Sequence, residues 1–169
     1  VLFGNEVQAV FDDAKARGID VLHLNIGQPD IAAPKEAINA IQKTQLKLLP
    51  YGPSQGTHTY RKKLCVYYKK NEIEVSPEDI IVTTGASEAL IFTLNVICDA
   101  GDEIIIPEPF YANYNGFASS AGVNVVPVIS EFTSQFELPP LENITGKITT
   151  KTKAILLCNP SNPTGYVYN

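Results

Sequence analysis

The sequence predicts an α/β protein with a mainly parallel sheet and helices on both of its faces. Two observations carry this expectation. From Ser76 onward, four short apolar, β-branched runs recur, and segments of helical pattern separate them. Strands alternating with helices must be joined by crossovers, which are right-handed and give parallel pairing buried on both sides. A chain of 169 residues can also bury a core without disulfides or metals.

The elements follow in order. Residues 5–17, "NEVQAVFDDAKAR", place Val7, Val10, Phe11 and Ala14 on one helical face, and Gly18 stops the helix. After "VLHL", the turn-rich "NIGQPDIAAP" leads to Pro34 in the first turn of a second helix carrying Ile38 and Ile41. The stretch "LLPYGPSQGT", 48–57, holds too much Pro and Gly to be regular. "TYRKKLCVYYKKN" then forms an amphipathic helix with Tyr60, Leu64 and Tyr67 inward and lysines outward. The predicted strands are "IIVTT" (80–84), "EIIIP" (103–107), "VNVVPV" (123–128) and "KAILLC" (153–158). Helices "ASEALIFTLNVIC" and "YANYNGFASSA" lie between the first three, and a loop with a weak helix precedes the last.

Composition narrows the function. A hydrophobic share of 44%, a charged share of 18% and a formal net charge of -5 provide no basic surface for nucleic acid or anionic lipid. A small acidic or zwitterionic metabolite is the better partner. Cys65, Cys98 and Cys158 are odd in number and never paired as C-x-x-C, which argues for reduced, buried thiols in a cytoplasmic setting. His23 and His58 lack partners at ligand spacing, so no metal site is expected. No run approaches membrane-spanning length, and no basic-then-apolar leader is present. The chain begins at Val1 and contains no methionine, so it is expected to be a piece of something longer.

Ligands of such sheets bind at the carboxyl ends of the strands, and three strand ends carry unusual residues. In "TTGASEAL", Gly85 ends a strand while Ala86 and Ser87 open a helix whose first N–H groups suit a phosphate. Taken alone, an ordinary turn capped by Ser87 is the simpler reading. The stretch is neither a P-loop nor G-x-G-x-x-G. In "PEPFYANY", Phe110 reads as core, whereas Tyr111 divides evenly between core and a ring that stacks on a planar ligand. In "NPSNPTG", the prolines fix their own φ and push Ser161 and Asn162 away from helix. That makes a stiff loop aiming an amide that donates and accepts at once, a stronger reading than a plain turn.

With these ends in hand, the chain resembles the fold-type I pyridoxal-phosphate aminotransferases, the aspartate-aminotransferase-like group. "LNIGQPDIAAP", "YGPSQGTHTYRKKL", "IIVTTGASEAL", "AGDEIIIPEPFY" and "NPSNPTG" follow in that family's order along nearly the whole chain. The resemblance implies an arm and part of a small domain over 1–50, and the first part of a cofactor-binding large domain over 51–169. It implies that Gly85, Ala86 and Ser87 cradle the phosphate of pyridoxal 5'-phosphate and that Tyr111 stacks on its ring. Asn162 would bond the ring's 3-hydroxyl and face the substrate carboxylate, and Gly27 would supply a backbone substrate contact. Tyr51 would reach the phosphate site of a neighbouring subunit, hence a homodimer with shared active sites. The reaction implied moves an amino group between an amino acid and a 2-oxo acid, with specificity drawn in part from the loop around Ile26 to Ile31. The family's Schiff-base lysine is expected beyond Asn169, since Lys147 precedes the last strand and reads as an exposed helix end. The chain alone is therefore expected to be inactive. A lyase of the same fold and a non-catalytic binding module are the alternatives.

Overall fold

The computed structural model describes residues 2–22 and 29–168, with side chains from Gln8 onward. The chain divides into two compact units, Val1–Pro50 and Tyr51–Asn169. The first contains helices α1 (Leu2–Ala16) and α2 (Lys35–Gln42). Phe11 and Ala14 of α1 are half-buried, but Val10 is 71% exposed, so the expected apolar face is only partly covered. α2 buries no residue. All the buried residues found among the described ones belong to the second unit.

That unit runs α3 (His58–Lys70), a 3-10 turn (Pro77–Asp79), α4 (Gly85–Ile97), β1 (Glu103–Glu108), α5 (Asn113–Ser120), β2 (Asn124–Ile129), a second 3-10 turn (Phe132–Ser134), α6 (Leu141–Thr145) and β3 (Thr152–Ile155). The sheet order is β2-β1-β3, and both pairings are parallel. Register runs from Glu103 opposite Asn124 to Glu108 opposite Ile129, while β3 slips against β1 between Glu103 and Ile104.

β1 is central, and Ile104 to Pro107 are all buried, as expected for a strand covered on both faces. Its side chains alternate between two clusters. Ile104 and Ile106 pack with Leu94 of α4, Ala118 of α5 and Val123, while Ile105 packs with Val128 and with Ile144 of α6. Fully burying each such isoleucine contributes about 1.5–3 kcal/mol.

Two expectations are corrected. The run 80–84 is not a strand of this sheet: Ile80 is extended (φ -115°, ψ 126°), but the Val82 N–H donates to Gln55 O at 3.0 Å rather than to a ladder partner. A strand needs a neighbour as well as an apolar sequence, and among the described residues this segment has a loop beside it instead. The inward face of α3 is also shifted. Arg61 is buried and Leu64, Cys65 and Tyr68 are half-buried, whereas Tyr60 and Tyr67 are exposed. Spacing of i, i+3, i+4 and i+7 makes that a helical face, with Leu64 the one residue shared with the expectation. Cys65, Cys98 and Cys158 are half-buried thiols. Among the described residues no group of His, Cys, Asp or Glu is arranged to hold a metal, and no helix is long and apolar enough to cross a membrane.

Candidate functional site

Because β1 and β3 are parallel, the chain leaves both on the same edge of the sheet. Pro109 to Tyr111 follow β1 there, and Leu156 to Asn162 follow β3. Tyr111 is 37% exposed. Its ring meets Tyr114 edge to face, with centroids 5.5 Å apart and planes at 85°, and its hydroxyl accepts a hydrogen bond from Asn113 Nδ2 at 2.6 Å. Phe110 is half-buried and stacks on Tyr114 at 6.2 Å, in keeping with its reading as core.

The "NPSNPTG" loop is held by its own backbone. Ser161 N–H donates to Tyr166 O at 2.8 Å, and Gly165 N–H donates to Ser161 O at 2.7 Å. Asn159 closes the base: its Oδ1 accepts from Tyr168 N–H at 2.9 Å, and its Nδ2 donates to Tyr168 O at 3.2 Å. The peptides before Pro109, Pro160 and Pro163 are cis. Ser161 is buried at the loop's centre and Asn162 is exposed beside it. The Asn162 amide makes no hydrogen bond among the described residues, so its donor and its acceptor are both available. It borders a narrow cleft together with Phe110, Tyr114, Cys158 and Ser161.

The third place marked by the sequence is the start of α4, which follows an unpaired extended segment rather than a strand. Thr84 is the cap residue and makes no side-chain cap bond, so the first-turn N–H groups of Ala86 and Ser87 have no intrahelical acceptor. Ser87 lies inside the first turn rather than capping it, which corrects that part of the simpler reading. Gly85 sits at φ +80°, where only glycine is unstrained, and a Cβ built on it would meet no atom within 4 Å. Ala86 and Ser87 are exposed. The result is an open helix start with a partial positive charge and free donors, the requirements for binding an anion such as a phosphate. The Glu88 carboxylate accepts from Thr84 N–H at 2.6 Å and so places a negative charge beside it.

The loop that begins with Tyr51 is fastened close to this helix start. Besides the bond between Val82 and Gln55, Gly56 (φ +89°) lies so near Val82 that a Cβ on it would come within 2.7 Å of the valine side chain. The Tyr51 side chain itself stands fully in solvent. Gly27 lies outside the described residues. Lys147 follows α6 and is exposed.

One residue was not anticipated. Tyr114 touches Tyr111, borders the Asn162 cleft and, with Leu90 and Leu94 of α4 and Leu156 after β3, lines a second small space. It thereby joins α4 to the loops that follow β1 and β3. Burial, and then donation of its O–H toward the Cys158 sulfur, pushes its phenol up to about 12, so it remains a protonated donor near neutral pH. The only sequence signal was its i+3 spacing from Tyr111 on a helical segment.

Known proteins resemble this chain in sequence and in fold. Residues 19–169 match the family described as aminotransferase class I and II. The chain is 38% identical over 165 residues to the aspartate aminotransferase of Bacillus sp. (strain YM-2), covering 96% of this chain and 42% of that protein. Among solved structures, the alanine aminotransferase from Pyrococcus furiosus superposes with a TM-score of 0.83 at 35% identity, over 94% of this chain and 41% of its own. The aspartate aminotransferase from Thermotoga maritima gives 0.84 at 31%, over 97% and 44%. The chain thus spans about two fifths of the length of the relatives it matches. On this match along most of its length, in sequence and in fold, the chain belongs to the class I and II aminotransferases, a pyridoxal-phosphate-dependent family.

Proposed function

We propose that this chain supplies the phosphate-binding and ring-binding part of an enzyme that moves an amino group between an amino acid and a 2-oxo acid. The observation that carries the reading is the uncapped start of α4, with open space at Gly85 and exposed donors at Ala86 and Ser87. A dianionic phosphate there would satisfy N–H groups that otherwise depend on water, and the Ser87 hydroxyl adds a donor. The residues present therefore fit pyridoxal 5'-phosphate. When bound, that cofactor acts as an electron sink for the carbon that bears the amino group.

The remaining roles belong to this chain's side chains. Tyr111, braced edge-on by Tyr114 and exposed enough to stack, holds the ring in place. Asn162, on a loop tied at Asn159, Ser161 and Gly165, presents an unpaired amide that bonds the 3-hydroxyl and faces a substrate carboxylate. A rigid loop limits the orientations in which the reacting groups meet. Gly27 contributes a backbone contact to the substrate. Tyr51, fully exposed, reaches the phosphate site of a neighbouring subunit in a cytoplasmic homodimer with shared sites. The relatives' names, which specify aspartate and alanine, support amino acid and 2-oxo acid substrates.

The test is an amino-transfer assay of the full-length protein with and without a 2-oxo acid acceptor. Product formation that requires the acceptor supports the reading. Product formed at the same rate without any acceptor overturns it in favour of a lyase.

A further inference from the structure

Arg61 has no place in the reading above, yet it is the one buried charged side chain found among the described residues, 8% exposed. A buried guanidinium keeps its charge and is costly unless its donors are bonded. No carboxylate lies within ion-pair distance of it among the described residues. Its partners are two main-chain carbonyls from different segments: Nε donates to Gly56 O at 3.2 Å, and Nη1 donates to Pro77 O. The planar fork can reach both at once because its donors point in divergent, fixed directions.

Both segments lead to the proposed cofactor site. Gly56 belongs to the loop that begins at Tyr51. That loop is already in contact with the chain entering α4, through Gln55 O, which accepts from Val82 N–H at 3.0 Å, and through the close approach of Gly56 to Val82. Pro77 opens the 3-10 turn Pro77–Asp79, which runs directly into that same entering segment. The Ser76–Asp79 capping box stiffens the turn, with Asp79 Oδ2 accepting from Ser76 N–H at 2.9 Å and from Ser76 Oγ at 2.7 Å.

We infer that Arg61 is a positioning residue, a clamp that holds the Tyr51 loop and the Pro77 turn on either side of the segment that delivers Gly85. Without it, two carbonyls lose their donor, and the contact between Gln55 and Val82 is left as the main tie between the loop and the helix start. The inference rests on the proposed phosphate site for its functional consequence but not for its structural one, so the two are tested separately.

The experiment compares wild type, R61A and R61K in the full-length protein by amide hydrogen exchange and by equilibrium binding of pyridoxal 5'-phosphate. In R61A the Val82 amide should exchange about tenfold faster or more, as expected when a local contact opens, while Ile105 in β1 keeps its wild-type protection. Binding of the cofactor should weaken about tenfold. R61K should recover neither fully, because an ammonium lacks the fork. An unchanged Val82, or equal loss of protection at Val82 and Ile105, overturns the clamp. A loosened Val82 with wild-type cofactor affinity, or complete rescue by lysine, overturns the positioning role. If wild type itself fails to bind the cofactor, the proposed function falls, and the exchange pattern still decides on the clamp.

Discussion

Gly56 and Gly85 flank the same short segment and both sit at positive φ, yet the structure assigns them different tasks. Gly85 at φ +80° has nothing within 4 Å of a built Cβ, so G85A costs only the left-handed backbone, about 1–2 kcal/mol. Gly56 at φ +89° carries the same backbone cost, and its Cβ would lie 2.7 Å from Val82 Cβ and Cγ2, with the loop carbonyl bonded to Arg61 resisting retreat. Overpacking adds about 1–3 kcal/mol, so G56A should cost about 2–5 kcal/mol in all. Urea unfolding of both variants beside wild type measures the difference. For function the order should reverse. G85A places a methyl in the space proposed for the phosphate and should weaken cofactor binding more than its stability loss implies, whereas G56A acts mainly through stability. Equal stability losses, or a larger loss for G85A, would refute the assignment of Gly56 to packing and Gly85 to an open cradle.

Three further outcomes follow from the same structure. S87A should leave the urea midpoint unchanged, since Ser87 is exposed and caps nothing, but should weaken pyridoxal phosphate binding about ten- to a hundredfold in equilibrium dialysis, the loss of one hydrogen bond to a charged group. The Asp79 carboxyl is held below its ordinary range by the Ser76 hydroxyl and then the Ser76 N–H. Its contribution is therefore present above the unfolded carboxylate pKa and lost as pH falls through the lowered value, so D79N should be less stable than wild type at pH 7 and match it in strong acid, as followed by pH-dependent urea midpoints. Tyr114, raised by burial and by Cys158 to about 12, stabilises the fold fully below the ordinary phenol value and loses that contribution as pH rises from about 10 to about 12. In an ultraviolet titration of the folded protein, Y114F should remove the phenol step near pH 12.

How far the sequence reveals this molecule depends on whether a residue's task is local. Ile104 to Ile106 announce a buried central strand because three β-branched residues in a row have few other uses, and the parallel order follows from the helices between the runs. The segment 80–84 has the same local character but is not in the sheet, because pairing depends on which backbone lies beside it, and Gln55 is remote in sequence. In α3, large aromatic rings suggest that Tyr60 and Tyr67 face inward. The observed face is instead centred on Arg61, which a hydrophobicity pattern counts as outward and which is buried only because the Gly56 and Pro77 carbonyls receive it. The proposed site residues Gly85, Tyr111 and Asn162 stand out in the sequence because a glycine opening a helix, an aromatic after a strand and a proline-framed amide are each unusual locally. Tyr114 was not, since its role lies in contacts to α4, Tyr111 and the loop after β3 that exist only once the sheet has formed.

Hydrogen exchange of the full-length protein with and without pyridoxal 5'-phosphate tests most directly whether the start of α4 and the loops after β1 and β3 form one cofactor site. The account predicts that residues 84–88, 110–114 and 158–166 gain protection together, with a common dependence on cofactor concentration. Protection confined to other segments, or absent from all three at saturating cofactor, would contradict it.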